Sequence, residues 1–170
     1  ADFNRDGYLD LLGTSIDVSG TYKSSPLFYG SEKGFSESRT DTFLNKGGKS
    51  VIGDVNKDGY IDVLFHDKGD FILMYMGSNE GFSQDHTIKV PCHGLLDFAT
   101  PNLADINNDG WLDLIVGILG HRLRYKDTLR IFFGGPEGFK SDNIQELMAG
   151  YSSGSTGIAD YNNDGNLDLL

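Results

Sequence analysis

The chain has little to cross-link it. One cysteine in 170 residues, Cys92, excludes an internal disulfide. Bases are also scarce: 14 Lys and Arg stand against 25 Asp and Glu, a formal charge of −11. That shortage excludes the basic face that nucleic-acid binding needs. No apolar run approaches the roughly 18–20 residues of a membrane-crossing helix, so no span is expected in this segment. Helical periodicity is missing too. The best stretch, Asn143 to Met148, is too short for an independent helix and fits a strand better. His66 and His86 lack partners at zinc-ligand spacing. Cys92 and His93 are adjacent, and neighbours on an extended strand point to opposite sides, so they make a poor nucleophile–base pair.

What the chain does have is Asp, Asn and Gly in a fixed order. Asp-x-Asn-x-Asp-Gly-x-x-Asp occurs four times, starting at Asp2, Asp54, Asp105 and Asp160, with steps of 52, 51 and 55 residues. A hard divalent cation takes six to eight oxygen ligands, which a short loop supplies when alternate residues point inward. Asp2, Asn4 and Asp6 hold positions 1, 3 and 5, as do Asp54, Asn56 and Asp58; Asp105, Asn107 and Asp109; and Asp160, Asn162 and Asp164. Position 7 gives a main-chain carbonyl in such loops, which leaves its side chain free to vary: Tyr8, Tyr60, Trp111 and Asn166. Position 6 is always Gly, where the chain turns sharply. Asp10, Asp62, Asp113 and Asp168 close the loops at position 9.

An Asx-rich turn without metal is the plainer reading. It accounts for Asn-Asp-Gly but not for a carboxylate at positions 1 and 9 every time. Up to four Ca²⁺ ions are therefore expected. The loops hold 12 of the 25 acids, so four ions would bring the charge from −11 to −3. The loop is not an EF-hand, which needs an acid at position 12; Gly13, Phe65 and Val116 stand there. Apolar, β-branched residues follow each loop instead, as in Ile61-Asp62-Val63-Leu64, so the loop reads as a hairpin turn.

A second motif lies between the loops. Gly30 to Phe35, Gly77 to Phe82 and Gly134 to Phe139 each read Gly-x-x-x-Gly-Phe, and each follows an apolar strand pattern. Every period then holds four strands. Strand A enters the loop, B leaves it, C ends at the Gly-rich turn and D follows Gly-Phe. In the third unit these fall at 97–104, 111–117, 128–134 and 142–148. The repeat units run over about 1–53, 54–104 and 105–159, with a further unit starting at 160–170. Four antiparallel strands per repeat predict an all-β chain of β-propeller blades.

The two motifs together resemble the FG-GAP family and its VCBS relatives, which build integrin-α-type propellers. The resemblance covers nearly the whole chain. It implies calcium held by the loop residues named above, with main-chain carbonyls from Tyr8, Tyr60, Trp111 and Asn166. It also implies a ligand surface on the face opposite the loops. Family propellers have six to eight blades, and about three cannot close a ring. Either several copies assemble or the chain is a fragment whose remaining blades belong to the same polypeptide, and the fragment is the preferred reading.

Two functions fit. One is a calcium-stabilised, non-catalytic module that binds protein or glycan, as in cell adhesion. The other is the propeller portion of a carbohydrate-active enzyme such as a polysaccharide lyase. The first is preferred, because no catalytic constellation stands out. Weak calcium loops suit an extracellular, periplasmic or cell-surface location. A candidate ligand loop is His121, Arg122, Arg124, Tyr125 and Lys126, a basic cluster in an acidic chain; a solvated hairpin tip is its bland alternative.

Overall fold

A computed structural model describes residues 1–13, 24–44, 49–66, 71–92, 101–118, 127–150 and 156–170. Among these every regular element is a strand, and every pairing is antiparallel. The first sheet joins β1 (Leu11–Leu12), β2 (Ser25–Phe28) and β3 (Thr40–Phe43). The second joins β4 (Ser50–Gly53), β5 (Asp62–His66), β6 (Phe71–Tyr75) and β7 (Thr87–Pro91) in sequential order. The third repeats this with β8 (Pro101–Ala104), β9 (Asp113–Ile118), β10 (Asp127–Phe132) and β11 (Ile144–Gly150). A hairpin of β12 (Ile158–Ala159) and β13 (Asp168–Leu169) follows.

These are propeller-type blades with strand order A-B-C-D, and they do not close a ring. In the third unit β9, β10 and β11 lie within two residues of the expected ends. Its strand A begins at Pro101 among the described residues; 97–100 lie outside them. The segment with the weak helical pattern is β11.

The inner strands explain the blade stack. All five residues of β5 are buried, and they divide by parity. Val63 and Phe65 pack with Phe3, Leu27 and Phe43 from the first sheet. Leu64 faces the other way, with Leu114, Val116 and Phe132 from the third. On β6, Leu73 and Tyr75 join the first group, and Ile72 and Met74 the second. A strand covered on both faces reads as a continuous apolar run, which is why Val-Leu-Phe and Phe-Ile-Leu-Met-Tyr show no polar alternation.

Aromatic edges lock the first junction. Phe43 lies 4.8 Å from Phe82 and 5.0 Å from Tyr75, ring centre to ring centre, both T-shaped. The Gly-Phe residues thus pack back on the preceding sheet. Phe82 and Phe139 do so, while Phe35, with no preceding sheet in the chain, is 54% exposed.

Candidate metal loops and their clamp

The last three Asp-Asn-Asp motifs sit where expected, at the A–B hairpin, and the first leads directly into β1, its strand B. Gly53 pairs with Asp62, Ala104 with Asp113 and Ala159 with Asp168, so these three loops are closed by their strands. Inside the second loop, Asp54 accepts the Asp58 amide on Oδ1 and the Gly59 amide on Oδ2, at 3.1 and 2.8 Å. Asn56 accepts the Asp58 amide on Oδ1 and donates its Nδ2 to Asp58 Oδ2. Asp58 Oδ1 accepts the Tyr60 amide at 2.8 Å. The same five bonds recur in the other three loops.

Backbone conformation makes this possible. Position 6 is Gly at φ between 87° and 89° in all four copies. Position 4 is also left-handed, at φ 58–59°, although it is Arg5, Lys57, Asn108 or Asn163. That second requirement is hidden in the sequence, where position 4 looks free. The inward amides stabilise charge at position 5. Asp6, Asp109 and Asp164 all titrate below the usual range, chiefly because the position-7 amide donates to each.

Position 9 has a role that the sequence did not assign. Asp62 Oδ2 accepts the Val55 amide at 2.9 Å, and its Oδ1 accepts the Gly77 amide at 2.9 Å. Asp10 does the same to Phe3 and Gly30, and Asp113 to Ile106 and Gly134. Asp168 makes the first of these bonds, to Tyr161. The carboxylate clamps the base of the metal loop to the C–D turn of its own sheet. The turn's first Gly must come very close: a Cβ on Gly30, Gly77 or Gly134 would overlap the carbonyl oxygen of Leu9, Ile61 or Leu112. Burial pushes Asp62 up to about 6, against the two amide bonds, and Asp113 is raised by the same cause.

The model for the FG-GAP-like repeat matches residues 54–116 and again 105–170. The chain belongs to this family. A search of the curated proteins returns no match. In the first three repeats one side chain, the position-9 Asp, joins the two motifs by reaching from the loop to the Gly-rich turn.

As hard-oxygen donors the loops fit a divalent cation: two exposed or half-exposed carboxylates, an amide oxygen and a main-chain carbonyl per repeat. Among the described residues no three His, Cys, Asp or Glu side chains converge as a metal group. Position 3 is an amide, and position 9 is committed to the clamp, which accounts for this. The clamp does not exhaust the carboxylate at position 9, because each oxygen has a second lone pair.

The repeats differ in what surrounds them. Arg39, from the first C–D turn, donates to Asp6 Oδ2 at 3.1 Å. The equivalent residues of the next two turns are His86 and Asn143, identified by the carbonyls that accept from Tyr29, Met76 and Phe133. A cleft of about 270 Å³ opens between the first loop and the second Gly-rich turn, lined by Phe3, Arg5, Tyr29, Tyr60 and Phe82 among others.

His121, Arg122, Arg124, Tyr125 and Lys126 lie outside the described residues, as does His93. Cys92 is buried in the core between the second and third sheets, and burial pushes its thiol up to about 12. That is the state of a packing residue, not of a nucleophile. His66 is buried on β5, and His86 is exposed in a turn.

Proposed function

We propose that the four loops are calcium sites of an exported binding module. One observation carries this reading. Four independent loops hold one hydrogen-bond pattern, with carboxylate and amide oxygens at positions 1, 3 and 5 oriented by the loop's own amides. The clamp by itself accounts for the acid at position 9; the two acids at positions 1 and 5, set close together in every copy, are what a turn without a cation would not favour.

Asp2, Asn4, Asp6 and the Tyr8 carbonyl would hold the first ion. The matching sets are Asp54, Asn56, Asp58 and Tyr60; Asp105, Asn107, Asp109 and Trp111; and Asp160, Asn162, Asp164 and Asn166. Asp10, Asp62, Asp113 and Asp168 complete the sets through a spare lone pair or a bridging water, as position 9 does in related loops. When bound, the ion neutralises carboxylates that otherwise repel one another across each turn. The residues do the rest: the amides preorient the oxygens, and the clamp fixes the loop to its blade.

Exposed loops of this kind suit the millimolar calcium found outside the cytoplasm. On this reading the metal face is structural, and a protein or glycan partner binds the opposite face, where the B–C and D–A connections run. Titration calorimetry of the folded chain with CaCl₂ tests the metal sites, with MgCl₂ as the comparison. Heat saturating at up to four ions per chain is expected. No binding at millimolar Ca²⁺ would overturn the reading.

A further inference from the structure

Position 4 of each loop is left-handed, a conformation that Asn tolerates and that Arg and Lys ordinarily avoid. The third and fourth loops carry Asn there, Asn108 and Asn163, but the first two carry Arg5 and Lys57. Something must favour the long cations. Arg5 Cζ lies 4.1 Å from the ring centre of Tyr60, and Lys57 Nζ lies 4.1 Å from that of Trp111. In both cases position 4 of one loop covers position 7 of the next. The same cations lie over the next loop's Gly: a Cβ on Gly59 would meet Arg5 Nη2, and one on Gly110 would meet Lys57 Nζ at 3.3 Å.

The chain contains its own controls. At the third junction the corresponding pair is Asn108 and Asn166, so both cation and ring are missing together. Tyr8, the ring with no loop before it in this chain, is 42% exposed, whereas Tyr60 and Trp111 are partly covered.

We infer that Arg5 and Lys57 are latches that couple the first, second and third loops, leaving the fourth independent. The inference rests on the calcium reading of the same loops. Position 4 lies between two ligand positions, so an ion that fixes one loop fixes the root of its cation. The ring it covers belongs to the residue whose carbonyl serves the next loop. Ordering one loop therefore supplies part of the ordering needed by its neighbour, which gives positive coupling. A stacked cation at an exposed site implies about a two- to fivefold change in affinity.

Trp111 is the single tryptophan and reports the second junction. Its emission, followed during CaCl₂ titration of the full chain, gives the affinity of the third loop. Disabling the second loop with Asp54→Asn and Asp58→Asn is expected to weaken the third about two- to fivefold. Lys57→Gln should weaken it equally, with no further loss when combined with the loop-two changes. Lys57→Arg, which keeps a cation on the ring, should restore it. Disabling the fourth loop with Asp160→Asn and Asp164→Asn should leave it unchanged. Calorimetry on each variant separates the two claims. Calcium binding with a third loop indifferent to Lys57→Gln, tightened by it as the charge of Lys57 beside Asp109 alone would give, or equally sensitive to the fourth loop, overturns the latch alone. Absence of calcium binding in the folded parent overturns both.

Discussion

Replacing Gly77 by Ala tests the clamp directly, because Gly77 and Gly81 differ in why each must be glycine. Gly81 has φ +85° and open space where a Cβ would go. Gly81→Ala therefore carries only the left-handed penalty, about 1–2 kcal/mol. Gly77 has no such φ, but its Cβ would overlap the Ile61 carbonyl oxygen and crowd Tyr60 Cβ at 3.1 Å. Both obstacles belong to the metal loop, and a carbonyl oxygen held in a hairpin cannot rotate away. The C–D turn must retreat by about an ångström, which takes the 2.9 Å bond from Gly77 to Asp62 out of hydrogen-bond range.

Losing that bond leaves a buried amide unpaired, at about 1–3 kcal/mol. Crowding adds about 1–3 kcal/mol more. Together these put Gly77→Ala near 4 kcal/mol, at least twice the cost of Gly81→Ala. At about 2–4 °C per kcal/mol for a chain of this size, Gly77→Ala should lower the melting temperature by about 10 °C or more. Gly81→Ala should lower it by about 5 °C. Thermal melts in chelator isolate this effect from metal binding. Because the clamp also seats the second loop, Gly77→Ala should weaken one calcium site in calorimetry, and Gly81→Ala should not. Equal melting shifts for the two variants would refute the close-approach argument.

Further outcomes follow from the loops and their surroundings. Asp58→Ala and Asp109→Ala should lower the melting temperature in Ca²⁺, because each removes a bound ion that adds about 1.4 kcal/mol at ten times the dissociation constant, and change it little in chelator. The pH response should reverse with metal. Asp62 holds its proton up to about 6 in the folded state, above its ordinary carboxylate range, and Asp113 is also raised. The native state thus binds more protons than the unfolded chain between about pH 4 and 6, and stability falls as pH rises through that window. Chelated protein should melt higher at pH 5 than at pH 7; calcium-saturated protein should show the opposite, since protons displace the ion. Arg39→Gln should tighten the first loop by about two- to fivefold, because it frees Asp6 from an exposed ion pair of modest strength. An unchanged first-site affinity in calorimetry would show that Arg39 does not compete.

Much of the fold was legible because it repeats. Asp-x-Asn-x-Asp-Gly-x-x-Asp and Gly-x-x-x-Gly-Phe alternate along the chain, and apolar segments between them leave room for four strands each. That placed the last three loops at A–B hairpins and β9, β10 and β11 to within two residues. The function of position 9 was not legible from residue type. An Asp that ligates and an Asp that clamps look alike; only the partner amide tells them apart. A signal was present all the same. From Asp10 to Gly30, Asp62 to Gly77 and Asp113 to Gly134 the spacing varies, yet the Asp and the Gly recur together. Two residues that persist across a connection of changing length are held by a contact in space, here the bond from the Gly amide to the Asp carboxylate.

The latch was missed for a different reason. Aligning the copies in register puts position 4 against position 4, where Arg5, Lys57, Asn108 and Asn163 look like free variation. The sheets stack in chain order, so the neighbours in space are position 4 of one copy and position 7 of the next. Read one copy out of step, the pairs are Arg5 with Tyr60, Lys57 with Trp111 and Asn108 with Asn166. Cation meets ring twice, and amide meets amide once. The left-handed φ at position 4 supplies the reason that this is not free variation: Arg and Lys are poor choices there unless a contact offsets the strain, and the two rings provide it. In a stacked repeat, then, a residue that breaks a local backbone preference points to its partner in the adjacent copy. The same logic makes the Asn108–Asn166 junction the place where the loops should act independently.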